Sequence, residues 1–218
     1  PAYRVFQELG EKIDFLAGQF LKVIFDRDNL ENKELNKFLS FSSSPYRDYI
    51  EVTKRLSESL FSQRLKNLKK DDEILIKGPL GSCVFNKDFK NIAFLIGGIG
   101  ITPVISMLEY IQDENLDTDV LLFYSNRNPS DIAFKEEIDR LAKENNRIKV
   151  FYLITDSICE NKDFIFCRID KDFLRNYLSD LKNRLIYIFG PPKMVEALKE
   201  TALELGLNII KTESFWGY

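Results

Sequence analysis

Gly97, Gly98 and Gly100 stand between an apolar run, residues 92–96, and Thr102-Pro103, behind which Val-Ile-Ser-Met-Leu-Glu-Tyr continues with a helical period. The run reads as a strand buried on both faces. Threonine followed by proline suits a helix cap and first turn. Glycines at such a junction let backbone N–H groups approach a bulky anion, and a helix start adds unpaired donors and the positive end of its dipole. The chemistry this turn can do is to hold the phosphates of a nucleotide. The same spacing also serves a strand-to-helix turn packed closely for its own sake, so the rest of the chain has to decide.

Little else in the composition can react unaided. The 218 residues include no histidine, which removes histidine triads and histidine metal sites. Cys83, Cys159 and Cys167 are too few and too scattered for an iron–sulfur or zinc site, so no metal is expected. Free thiols suit a reducing cytoplasm, which is the expected location. Redox or hydrolytic chemistry must therefore come from a bound cofactor or from Asp, Glu, Lys, Ser or Cys. A net charge of -3 with acids and bases interspersed leaves no basic stripe, so no nucleic-acid partner is expected. No apolar run approaches the roughly 20 residues of a membrane helix, and no signal peptide is visible.

The elements that must position the turn fall into two patterns. Up to about Asn86, short alternating segments at 18–25, 49–55 and 73–77 read as strands, separated by turn signals at 26–36, 45–48, 71–72 and 78–79. A short helix fits residues 60–68, with Ser59 as its N-cap. From Asn91 the chain alternates. Strands fit 92–96, 120–124, 148–154, 185–189 and 208–211, and helices fit 103–114, 131–144, 171–178 and 192–206. The fold expected is an all-β antiparallel barrel domain, residues 1–88, followed by an α/β doubly wound parallel-sheet domain, residues 89–218. Ligands then belong at the carboxyl ends of the parallel strands, facing a cleft between the halves.

Further segments join the glycine turn in a specific order: Lys37-Phe-Leu39-Ser40-Phe41-Ser42-Ser43-Ser44-Pro45, then Gly78-Pro79-Leu-Gly81, Gly190-Pro191-Pro192-Lys-Met194 and the closing Glu213-Ser-Phe215-Trp-Gly-Tyr218. Together they resemble the ferredoxin–NADP reductase superfamily, in which a flavin-binding barrel precedes a nicotinamide-dinucleotide domain. The resemblance covers nearly the whole chain. It implies a flavin-dependent oxidoreductase that passes hydride from NAD(P)H to FAD, or FMN, and electrons on to a partner protein or small acceptor. Two other readings stay open: a flavin reductase that uses free flavin as substrate, and a non-catalytic nucleotide-binding or assembly subunit.

The flavin signature of the family is Arg-x-Tyr-Ser. Aligned without a gap on Ser43-Ser44-Pro45, it places Lys37 at the arginine, Leu39 at the aromatic and Ser40 at the serine; a second register pairs Phe41 with Ser42 and needs a deletion. The gapless register implies Ser40 near flavin N5 and Lys37 near the pyrophosphate. Lysine loses the two-pronged grip of guanidinium, and leucine loses ring stacking. Thr53 and Arg55 fall on the second flavin strand, Ser62 at a helix start suited to pyrophosphate, and Gly78 and Gly81 in the loop under the flavin.

For the dinucleotide the resemblance implies Gly97, Gly98, Gly100, Thr102 and Pro103, with Gly190, Pro191 and Met194 opposite. Phe189 takes the place of a cysteine that relatives keep beside the nicotinamide, and its ring is a candidate for stacking there. Arg127 suits a 2′-phosphate, whereas Thr155-Asp156 would repel one, so NADH and NADPH both stay open. Glu213 is implied as a catalytic acid and Tyr218 as an aromatic over the flavin. The family has a barrel strand ahead of the segment resembling Tyr3-Arg-Val-Phe-Gln-Glu, for which there is little room here. An exposed barrel edge, an N-terminal truncation or pairing with another chain is expected.

Overall fold

The computed structural model describes residues 2–8, 13–156 and 162–215. The first lobe contains strands β1 (Ala2–Glu8), β2 (Phe20–Ile24), β3 (Asn36–Ser40), β4 (Tyr49–Arg55) and β5 (Leu75–Leu80), with helix α1 (Leu60–Lys66) between the last two. β1 pairs antiparallel with β4, and β3–β2–β5 form a second antiparallel sheet. An isolated bridge, Phe41 to Val52, joins the two. Among the described residues no sixth strand completes the barrel. The period-two pattern explains its inside: Leu21, Val23, Ile50 and Val52 alternate inward and meet Phe41, Phe61 and Leu65 in one apolar core.

The second lobe runs β6 (Asn91–Gly97), a 3-10 turn (Gly98–Ile101), α2 (Thr102–Asp113), β7 (Asp119–Asn126), α3 (Lys135–Glu144), β8 (Ile148–Ile154), β9 (Phe164–Ile165), α4 (Lys171–Asn176), α5 (Leu178–Leu181), β10 (Leu185–Gly190), α6 (Pro192–Glu204) and β11 (Ile210–Ser214). All its strands are parallel, in the order β11-β10-β6-β7-β8-β9. Helices cover both faces, so every residue of β10 is buried and the strand reads as an unbroken apolar run. The strand order reverses between β6 and β10, and a doubly wound sheet opens its ligand crevice at that point.

Departures from the expected elements have local causes. β1, β3 and β9 do not announce themselves: β3 carries lysine and serine, and β9 is two residues long. The helix expected from residue 131 starts at Lys135, because Phe134 takes a left-handed backbone (φ 60°) and a 3-10 turn occupies Pro129–Asp131. The helix expected over 171–178 breaks at Tyr177. Thr102 is not the cap of α2. It lies inside the helix, its hydroxyl donating 3.1 Å to the Ile99 carbonyl, and Ile101 is the cap.

The lobes are tied along one seam. Tyr187 Oη donates to the Val84 carbonyl (3.0 Å) and accepts from Asn86 N–H (3.1 Å), while Lys211 Nζ reaches the same carbonyl at 3.2 Å. Farther along, Ser44 N–H donates to Glu109 of α2 at 2.9 Å, and Arg55 Nη2 donates to the Asp131 carbonyl at 3.1 Å. Among the described residues no helix is long and apolar enough to cross a membrane.

Candidate functional site

The three glycines after β6 have different jobs. A Cβ on Gly97 would stand 2.3 Å from Met194 Sδ and 3.2 Å from Pro191 Cδ, and one on Gly100 would stand 2.7 Å from the Phe189 carbonyl oxygen. Both glycines therefore admit the neighbouring strand and its turn. Gly98 (φ +54°) has nothing within 4 Å of an added Cβ. Close packing accounts for two glycines, and an open face ahead of the twelve-residue α2 accounts for the third. Gly190 leans on Gly97 in return, its added Cβ lying 3.2 Å from the Gly97 nitrogen, so the β6 and β10 turns form one surface at the switch point. Thr102 and Pro103 are buried behind it.

β11 adds the acid. In register, Glu213 lies opposite Phe189 and Ser214 opposite Gly190. Burial pushes the Glu213 carboxyl up to about 7, and among the described residues its buried Oε2 has no hydrogen-bond partner. The Cys83 thiol is pushed up to about 11, first by burial and then by the charge of Glu213, with Lys211 drawing it back. The barrel segment after Gly81 meets β10 and β11 through the Val84 carbonyl, which accepts from Tyr187 Oη and Lys211 Nζ. Phe189 does not offer a stacking surface. It is fully buried, edge-on to Tyr187 and Phe215.

On the barrel side the structure separates the motif residues. Ser40 ends β3 and is buried, and among the described residues its hydroxyl has no hydrogen-bond partner. Leu39 pairs with Leu21 and packs on the barrel core, so it gives no platform to a ring; Phe38, facing the other way, is 59% exposed. Phe41, expected at the cofactor, is instead a core residue stacked on Phe15 at 3.9 Å. The Ser42 hydroxyl is shared between Glu51 (2.7 Å) and Thr53 (2.8 Å). Arg55 faces Asp131 of the second lobe.

Ser62 sits in a serine cluster at the start of α1, its hydroxyl 3.0 Å from Ser59 and 3.2 Å from Ser57, so it stabilises that helix start. Gly78 makes room for Leu21, and Gly81 (φ +94°) for the Phe20 ring. Arg127 is exposed, its Nε 3.9 Å from Asp156 Oδ2. Tyr218 and Cys159 lie outside the described residues.

Sequence reasoning missed Glu51 and Arg4. Lys54 is pushed below the usual lysine range by burial and then by the neighbouring charge of Lys37. Lys37 on β3 and Lys54 on β4 are near enough for their charges to interact, and two ammonium groups match the charge of a pyrophosphate. The open face of Gly98 and the Ser40 hydroxyl, which has no hydrogen-bond partner among the described residues, complete a donor set that fits two nucleotide cofactors. Among the described residues no cluster of cysteine or carboxylate side chains could hold a metal ion.

Comparison with known proteins agrees with this geometry. Residues 94–200 match the oxidoreductase NAD-binding domain family. The chain is 27% identical over 202 residues to NADH-cytochrome b5 reductase 1 of Aspergillus clavatus, covering 88% of this chain and 64% of that protein's length. Its fold matches the cytochrome b5 reductase domain of Ulva prolifera nitrate reductase (TM-score 0.83, 19% identity, 97% of this chain and 91% of that one). It also matches a ferredoxin NADP+ reductase from Neisseria gonorrhoeae with bound FAD and NADP (TM-score 0.81, 22% identity, 99% and 93%). The chain thus sets a segment similar to the oxidoreductase NAD-binding domain family beside a barrel, in the two-lobed fold of those two solved structures.

Proposed function

We propose that this chain is a flavin-dependent NAD(P)H oxidoreductase, with NADH as the donor and an acceptor on a separate partner or small molecule. The observation that carries it is the single surface that the β6 and β10 turns form at the switch point through Gly97 and Gly190, with the half-buried Glu213 in register one strand over. A flavin bound between the lobes supplies hydride acceptance and onward electron transfer, which no side chain of this protein can perform.

The protein's part is positioning. Gly98 and the start of α2 take the dinucleotide phosphates. Lys37 and Lys54 take those of the flavin, and Ser40 offers one hydroxyl near the reacting ring. Glu213, with its carboxyl near 7, can hold or release a proton beside the nicotinamide. Asp156 both occupies Arg127 and repels a 2′-phosphate, which supports NADH over NADPH. The name of the Aspergillus relative supports a one-electron haem protein as acceptor.

One observation favours a second reading. Leu39, an aliphatic residue packed on the barrel core, gives the motif no aromatic platform, which favours a flavin that exchanges as a substrate. A single preparation separates the readings. Yellow protein bleached by NADH supports the flavoprotein; colourless protein that turns over added FAD or FMN supports the flavin reductase. Colourless, inert protein defeats both and leaves the non-catalytic subunit.

A further inference from the structure

We infer that Glu51, braced by Arg4, is a positioning residue for the flavin site and acts through the serine run of the motif; this rests on the flavin reading above. Glu51 grips two successive serines with three of its groups. Its Oε1 accepts from the Ser42 hydroxyl at 2.7 Å, its carbonyl accepts from Ser42 N–H at 2.8 Å, and its N–H donates to the Ser43 hydroxyl at 3.1 Å. The next N–H, of Ser44, is taken by Glu109 at 2.9 Å. Three of the four serines are therefore spoken for. Ser40 is left with its hydroxyl for a ligand, and the direction it faces is set by Phe41 anchored in the core and by the Glu51 grip two residues on.

A carboxylate only 2% exposed needs support of its own. Burial raises the Glu51 carboxyl, while the Ser42 hydroxyl and the Arg4 guanidinium draw it back. Arg4 Nε lies 3.2 Å from Glu51 Oε2, and the same guanidinium pairs with Glu137 of α3 and lies 4.5 Å from the Phe134 ring centre. The series Ser42–Glu51–Arg4–Glu137 thus runs from the flavin motif across the seam into the dinucleotide lobe. The left-handed Phe134 that begins α3 is strained for an aromatic residue, and it sits under this brace.

The test uses the full chain, titrated with FAD by flavin fluorescence. Visible circular dichroism reports the bound ring, calorimetry follows NADH, and a thermal scan follows the fold. Glu51→Ala is expected to weaken FAD at least tenfold and to change the dichroism of the flavin still bound, with NADH affinity held within twofold. Glu51→Gln keeps an acceptor for Ser42 and is expected to weaken FAD only two- to fivefold. Wild-type FAD affinity and dichroism in Glu51→Ala would overturn the inference. So would parallel losses of FAD affinity, NADH affinity and thermal midpoint, which mark a merely structural role. If Glu51→Ala does not fold, Glu51→Gln and Arg4→Gln decide, and wild-type affinity and dichroism in both would overturn it. A wild-type chain that takes no FAD overturns the flavin reading itself, and is recognised before any substitution is made.

Discussion

Gly97 and Met194 are packed so closely that a methyl group on the glycine would stand 2.3 Å from the methionine sulfur. The first turn of α6 rests directly on the end of β6, and the space between them is fixed by the missing side chain. Gly100 is tighter in kind, because its obstacle is the Phe189 carbonyl, which cannot rotate away. Replacing either by alanine is expected to cost about 1–3 kcal/mol of stability, with Gly100→Ala the worse. Gly98→Ala meets no atom and costs about 1 kcal/mol for its left-handed backbone, yet it narrows the open face where phosphates are expected. Urea midpoints and NADH titrations should therefore rank the three variants in opposite orders.

Glu213 predicts a pH dependence with a definite sign. Its carboxyl is raised from the ordinary range to about 7 in the folded chain, so the folded state holds a proton that the unfolded state has released. Between about pH 4.5 and 7 the unfolded form binds fewer protons, and stability falls as pH rises. Below that window both states are protonated and the effect vanishes. Glu213→Gln should leave stability unchanged near pH 4 and raise it at pH 8 by about 1–2 kcal/mol, discounted because the group is partly open to solvent. Denaturant melts at the two pH values check this; a variant equally stabilised at both would show that charge is not the cause.

The parallel lobe was legible because strands covered on both faces leave apolar runs, and glycine and proline punctuate their ends: residues 92–96, 148–154 and 185–189 all fall inside observed strands. The barrel was less so. β3 mixes lysine, leucine and serine, and no local pattern separates it from a polar turn. The order of the motifs carried the family resemblance, but not the division of labour among serines 40, 42, 43 and 44, which is decided by an acid nine residues away across a strand pair. Glu51 itself gives no signal, since one carboxylate in an alternating strand reads as solvent-facing. Phe41 was misjudged for the same reason: whether it faces a ligand depends on its stacking on Phe15 in the core.

That division can be tested with two serine substitutions that differ by two residues. Ser40→Ala removes a hydroxyl without a partner among the described residues, so stability should move by less than about 0.5 kcal/mol. Reduction of bound flavin by NADH should slow by about tenfold or more, since a lost hydrogen bond near a reacting atom is worth at least about 1.4 kcal/mol. Ser42→Ala instead leaves Glu51 without its nearest donor, which should cost about 1–3 kcal/mol of stability. Stopped-flow reduction and thermal melts on the same samples would separate the roles.

The proposed preference for NADH rests on Asp156 and yields the sharpest expectation. Its Oδ1 accepts from Thr155 Oγ1 at 2.8 Å and its Oδ2 lies 3.9 Å from Arg127 Nε, so the carboxylate is held at the end of β8 while the exposed arginine is drawn toward it. The pair contributes little to stability, because both partners are open to water. Against a 2′-phosphate the balance differs. Repulsion between unit charges about 6 Å apart, at an effective dielectric of about 40, is worth about 1.4 kcal/mol, or tenfold in binding. Asp156→Asn should remove that repulsion and release Arg127, raising kcat/KM for NADPH by about ten- to a hundredfold while changing that for NADH by less than about threefold. Adding Arg127→Gln should abolish most of the gain. If Asp156→Asn leaves the ratio of NADPH to NADH turnover where it was, the ribose is held elsewhere, and the carboxylate is only a surface partner of Arg127.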